Sequence, residues 1–282
     1  MTRAERTEQM EHVEIEGVPL VATLVRGGDR GGDVGLLALH GSNEGGTAEL
    51  AHLVARRCGA TSLVFTQPGT PRPVHIPSPR MAVDHCALLR AFLARVSLTV
   101  SLHGHMRPEA PRTVFLGGGN RDAALVLARE LRACSEFPAC APTPGTHARR
   151  TVSQDRWLRH MTCDTARRSH APNAAAPALR ADDGELRTGP GALAPGFQVV
   201  THVPEIPAGL RGLHPRNPVN LTRRAGVQVE LPLLARTSGP AKRDGVPDEP
   251  PPPVIEALVA GVGRLTAGPD GQGPATSTQE PL

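Results

Sequence analysis

Tyrosine is absent from this 282-residue chain, and aromatic side chains make up only 2% of it. A core must therefore be built from Val, Leu and Ala, and stacking platforms for nucleic-acid bases are nearly missing. Lysine is almost as scarce: Lys242 is the only one, so arginine carries nearly all the positive charge behind the formal net of +4. Guanidinium groups suit forked pairing with carboxylates and phosphates. The arginine excess fits an anionic partner or, equally, the base composition of the gene. Cysteine numbers five, an odd count, and no two are spaced CxxC. That argues against a disulfide framework or a cysteine zinc site and fits a reducing compartment. No apolar run approaches membrane-spanning length. The start, MTRAERTEQMEHVEIEG, is charged and has no apolar signal core. The expectation is a cytoplasmic protein with no membrane and no nucleic-acid partner; the oligomeric state is left open.

What the chain has is alternation between short apolar runs and helical periods. Residues 1–9 read as disordered. A strand pair at a sheet edge is expected over 13–25, then a glycine-rich turn at 26–32. Leu36–Leu39 reads as the first central strand and Thr47–Cys58 as a helix with Leu50, Leu53 and Val54 on one face. Strands follow at Ser62–Phe65, Val96–Leu102, Thr113–Leu116, Phe197–Val203 and Gly226–Leu231. Helices are expected at Asp84–Leu93 and Arg121–Ala133. Such an order predicts an α/β fold: a mixed, mostly parallel sheet with helices on both faces. Residues 1–237 read as one domain, interrupted by an irregular low-complexity insertion at about 134–195. A proline-rich linker (238–253), a packing helix (254–265) and a disordered tail (266–282) complete the chain.

Chemistry gathers at strand ends. The stretch Gly35–Leu50 reads GLLALHGSNEGGTAEL: a buried strand, His40, a glycine turn, Glu44 and a helix start. A second strand, VSLTVSL, ends at His103-Gly104-His105, and GVQVEL brings up Glu230. In a parallel sheet these positions line one crevice past the carboxyl ends of the strands. Two histidines and a glutamate suffice for a catalytic zinc, which takes three protein ligands and keeps one open position; a second glutamate is then left as a base. Alternation puts Gln228 and Glu230 on one face of their strand and Val227 and Val229 on the other. His75, in an irregular proline-rich loop, either reaches the crevice or is a plain surface histidine. Arg121, at a helix start where the dipole disfavours it, and Arg236, six residues past Glu230, are either anion contacts or solvated side chains. The glycines at 117–119 lack the GxxxxGK[ST] pattern, and no serine sits in GxSxG, so a phosphate loop and a serine nucleophile are set aside.

The runs ALHGSNEGGTAELA, VSLTVSLHGH, TVFLGGGN and LRGLHPRNPVNL, followed by GVQVELP, resemble in their order the poly-γ-glutamate hydrolases. These are zinc-dependent γ-glutamyl peptidases with a zinc-carboxypeptidase-like α/β fold. The resemblance covers roughly residues 35–133 and 197–236. It implies one zinc ion on His40, Glu44 and His103, with Glu230 as general base and an anionic poly-γ-glutamate or γ-glutamyl peptide as substrate. His75, Arg121 and Arg236 become candidates for contacting that substrate. The turn between His40 and Glu44 is one residue shorter than the family's common spacing, which keeps Glu49 open as the alternative ligand. Two other functions stay open: a zinc amidohydrolase acting on small peptides or N-acyl amino acids, and a non-catalytic polyanion-binding protein of the same fold.

Overall fold

The computed structural model describes residues 7–28, 31–81, 84, 86–136, 197–236 and 253–267. Contacts divide the chain into two units, residues 1–137 with 195–282 and residues 138–194. The first contains all the described residues. The expected low-complexity insertion lies outside them from residue 137 onward, as do the linker up to residue 252 and the tail from residue 268.

The described unit is built on one eight-stranded sheet in the order β1-β2-β4-β3-β5-β8-β6-β7. Strands β1 (Glu8–Ile15) and β2 (Val18–Val25) form an antiparallel hairpin at one edge. Central strands β3 (Gly31–Ala38), β4 (Ala60–Thr66), β5 (Leu98–His105) and β8 (Gly226–Pro232) pair in parallel. Strand β6 (Thr113–Gly117) runs antiparallel to β8 and parallel to the short β7 (Gln198–Val200). The sheet is thus mixed and mostly parallel.

Helices cover both faces. Helices α1 (Thr47–Cys58), α3 (Arg121–Glu136) and α5 (Pro253–Ala267) pack on one, where Leu36, Val100, Leu102, Val227 and Val229 point. Helix α2 (Ala87–Arg95) covers the opposite face over β1–β4, against Leu37, Leu39, Leu63 and Phe65. A single-turn helix, α4 (Leu233–Arg236), follows β8. Aliphatic side chains and alanine supply most of this core, as the dearth of aromatics requires. Among the described residues no helix is long and apolar enough to cross a membrane.

Several boundaries differ from the sequence reading: the strand expected over Phe197–Val203 is only Gln198–Val200, followed by a 3-10 turn at Val203–Glu205, and the helix expected at Asp84–Leu93 runs Ala87–Arg95. Glu8 and Gln9, expected in a disordered start, pair with Val25 and Leu24 in β1. Their alternation is polar throughout, so backbone pairing at an edge, not burial, makes them strand. His103 and His105 lie within β5 rather than past it, because β8 continues alongside and pairs them with Glu230 and Pro232. Helix α3 runs to Glu136, three residues into the span expected as insertion.

Candidate active site

The site lies at the carboxyl ends of β3, β5 and β8, on the face that carries α2. Beyond Ala38 the chain makes a tight turn. The main-chain N–H groups of Asn43 and Glu44 donate to the His40 carbonyl at 3.0 and 2.8 Å, and Gly41 N–H donates to Phe65 at 3.0 Å. Ser42 Oγ accepts from the Gln67 N–H at 2.7 Å, and the Asn43 amide donates to the Pro73 carbonyl at 2.7 Å. These bonds fold Glu44 back over His40. The turn closes at Gly46, whose φ is +88° and where a Cβ would overlap the Arg236 carbonyl. Only glycine meets both demands cheaply.

His40, Glu44 and His103 converge. His40 Nδ1 is 3.0 Å from Glu44 Oε1 and 3.2 Å from His103 Nδ1, and His103 Nδ1 is 3.4 Å from Glu44 Oε2. Ligands about 2.0–2.2 Å from a tetrahedral ion stand about 3.3–3.6 Å apart, so the donor set fits a metal after a slight outward shift. Each donor is also oriented from behind. His40 Nε2 donates to the Ile76 carbonyl at 2.8 Å, which turns Nδ1 toward Glu44 and His103. His103 Nε2 is 3.0 Å from Ser101 Oγ, and Gly104 N–H donates to Glu44 Oε2 at 3.0 Å. Partners of this kind fix tautomer and ring direction at metal sites. Glu49 is exposed on α1 and takes no part, so the short turn still delivers Glu44.

The electrostatics link these groups. Burial pushes the Glu44 carboxyl up, but the charge on His103 and hydrogen bonds from His103 and His40 hold it well below the carboxylate range. Burial pulls His103 down, yet Glu44 and Glu230 more than offset it and raise its pKa. Glu44 and His103 thus stabilise each other's charged forms.

Glu230 is the Cα partner of His103 across the β5–β8 ladder and is buried. Burial, with the charge of Glu44 adding, pushes its pKa up to about 7 against the opposing charge of His103, the Gln228 hydrogen bond and Arg236. The Gln228 amide donates to Glu230 Oε1 at 2.8 Å and to the Leu210 carbonyl at 3.3 Å, while its own oxygen accepts from Asn217 at 2.9 Å. Sequence reasoning passed over Gln228 as a site residue; its signal was its place two residues before Glu230 on the same strand face.

These groups open onto a cleft of about 550 Å³, whose lining includes His40, Glu44, His103, Gln228 and Glu230. His75 also lines it, with its ring centroid 4.3 Å from that of His40. Arg121 and Arg236 are not brought there. Arg121 donates to the carbonyls of Leu116, Gly118 and Thr201. Arg236 is buried, donating to Leu231 at 3.1 Å and Gly45 at 2.8 Å, with its guanidinium where a Gly104 side chain would be. Each donates to main-chain carbonyls at loop crossings, and Arg236 ties the β3–α1 turn to the ends of β5 and β8 while its charge still acts on Glu44 and Glu230.

Comparison with known proteins places this arrangement. The zinc-free structure of YNDL is 17% identical, with a TM-score of 0.50 over 91% of this chain and 88% of that one, which shows a shared fold. A bacteriophage poly-γ-glutamate hydrolase matches at 12% identity and TM-score 0.49, covering 95% and 91% of the two chains. A Pseudomonas aeruginosa metallo-carboxypeptidase matches at 12% identity and TM-score 0.38, covering 92% of this chain and 63% of that one. No curated protein matches in sequence. The sequence profile described as poly-gamma-glutamate hydrolase matches residues 8–155. Since that match spans just over half of the chain, the protein belongs to the poly-γ-glutamate hydrolase family.

Proposed function

We propose that the protein is a zinc-dependent hydrolase that cleaves γ-glutamyl amide bonds in poly-γ-glutamate or related γ-glutamyl peptides. In this reading His40, Glu44 and His103 hold one zinc ion, Glu230 is the general base and His75 contacts substrate beside the metal. The domain carrying this chemistry is taken as residues 1–237, in a cytoplasmic setting. The observation that supports it most is the convergence of three ligand atoms within 4.8 Å of one another, beside a buried fourth group, Glu230, that is not needed as a ligand. Family membership supports hydrolysis as the reaction class.

Zinc, when bound, would polarise the scissile carbonyl and bring the pKa of its water to about 7. The protein groups do the rest. Gln228 occupies Glu230 Oε1, which leaves Oε2 to take a proton from the attacking water and pass it to the departing amine nitrogen. A base with a pKa raised toward neutrality suits both halves of that transfer. Ile76 and Ser101 hold the two imidazoles, and the Gly104 N–H holds Glu44, so the ligand set is prearranged.

The test is metal analysis of the purified protein together with the chain length of poly-γ-glutamate after incubation. One zinc per chain and shortening of the polymer are expected. A fully zinc-loaded protein that leaves the polymer intact overturns the substrate. A protein that takes up no metal overturns the reading, and salt-sensitive polyanion binding in that case would favour a binding role.

A further inference from the structure

A substrate with a free carboxylate on every residue needs a cationic partner in the cleft apart from the metal ligands. Arg121 and Arg236, the arginines singled out from sequence, are committed to main-chain carbonyls elsewhere. Among the described residues lining the cleft there is one Lys or Arg, and it is Arg107. It stands just past β5, four residues after His103. The turn there is held by a bond from the Arg107 N–H to the His105 side chain at Nδ1, 3.4 Å, and a main-chain bond from the Ala110 N–H to the Arg107 carbonyl, 3.1 Å. These bonds engage the Arg107 main chain and leave its guanidinium to other partners.

Arg107 already holds a carboxylate. Its Nη1 donates to Glu109 Oε1 at 2.8 Å, with the two side chains 37% and 62% exposed. An exposed pair of this kind contributes little to stability, and Glu109 is not part of the cleft lining. An incoming carboxylate can replace that of Glu109 with no net loss of ion pairing. The rim beside Arg107 is apolar: Met106 and Leu213 line the cleft and are 47% and 45% exposed. A γ-linked glutamyl unit presents that same combination. Two methylenes separate its α-carbon from the scissile carbonyl, and its carboxylate branches from the α-carbon.

We propose that Arg107 is a specificity-determining residue: its guanidinium binds an α-carboxylate of the substrate, and Glu109 competes for it from within the chain. The inference rests on the γ-glutamyl reading above. It gives opposite signs to two neighbouring substitutions. Losing the guanidinium weakens binding, and losing the competing carboxylate strengthens it.

The experiment is steady-state kinetics of the zinc-loaded full chain on a short γ-glutamate oligomer and on the same oligomer with its α-carboxylates amidated. R107A is expected to raise KM for the acid oligomer about tenfold with a smaller change in kcat, and R107K to recover part of the loss, since lysine supplies charge without the fork. E109Q is expected to lower KM for the acid oligomer. On the amidated oligomer the gap between wild type and each variant narrows. If the wild type cleaves the acid oligomer and R107A stays within twofold of its KM, the proposal fails while the γ-glutamyl reading stands. If the wild type cleaves neither oligomer, both fall together. Circular dichroism checks the fold of R107A. Should that variant not fold, E109Q decides alone: an unchanged or raised KM overturns the proposal.

Discussion

The two faces of the central strands, one residue apart in sequence, do different work. On one face Leu102 pairs with Val229 under helices α1, α3 and α5, in a core of aliphatic side chains and alanine. On the other, His103 pairs with Glu230, flanked by Ser101 and Gln228, and all four are buried polar groups. Burial is nearly equal on the two sides, but its consequences are not. The first face gains free energy from removing apolar surface from water. The second costs desolvation, which is offset by hydrogen bonds among its polar groups and, in the proposed function, by a bound cation. Stability and chemistry are thereby divided between alternate residues of the same strands.

Substitutions should reveal that division, beginning with the largest effect. His103→Ala removes a ligand, and zinc and activity should vanish together while the protein still folds; metal analysis and circular dichroism check both parts. Glu230→Gln should keep zinc and lower turnover by about 10²–10⁴-fold, the usual contribution of a general base. If it loses zinc instead, Glu230 belongs to the ligand set. Leu102→Ala, next in sequence to His103, should cost about 2–5 kcal/mol in urea denaturation through the cavity it leaves, with zinc retained well below the transition. A lost metal site in that variant would break the comparison between the faces.

Acidity sharpens it further. Glu230 must be ionised to accept a proton, and burial raises its pKa to about 7. The rate kcat/KM should therefore fall about tenfold per pH unit on the acid side of the pKa that Glu230 has in the active protein. A bound cation favours the carboxylate, so the limb moves to lower pH in the zinc-loaded protein, and Glu230→Gln should abolish it. The smallest effect lies far from the cleft, where Glu11 of β1 accepts from the N–H groups of Ala87 and Leu88 at the start of α2. Burial raises its pKa, but those hydrogen bonds, with Cys86 and Arg90, together outweigh it and leave the folded value below the ordinary 4.5. Its stabilising contribution is present above pH 4.5 and is lost as pH falls through the lowered value. Glu11→Gln should cost about 1 kcal/mol at neutral pH in thermal or urea unfolding, and the deficit should shrink in acid.

Local signals carried most of this. Period-two alternation gave the faces of β8, and helical period with a bordering glycine gave the limits of α1. The His40–Glu44 turn was legible because glycines mark it and both residues follow an apolar strand. What sequence left hidden depends on contacts distant in the chain. Arg236 reaches Gly45 across 191 positions, and no pattern near either residue announces that bond. Arg121 is claimed by Thr201, 80 residues on. Arg107 lies in a turn without periodicity, so its place on the cleft appears only once β5 and the segment around Leu213 are brought side by side.

The proposed ligand and base are also kept apart by a ruler that neither of them makes. His103 and Glu230 are registered neighbours on adjacent parallel strands, so their backbones stand one strand spacing apart, about 4.8 Å. Main-chain hydrogen bonds of the sheet set that spacing, and changing either side chain leaves it in place. The segments that shape the mouth of the cleft can lengthen, shorten or exchange residues without disturbing it. The cleft mouth can therefore change in this fold while His103 and Glu230 keep their spacing.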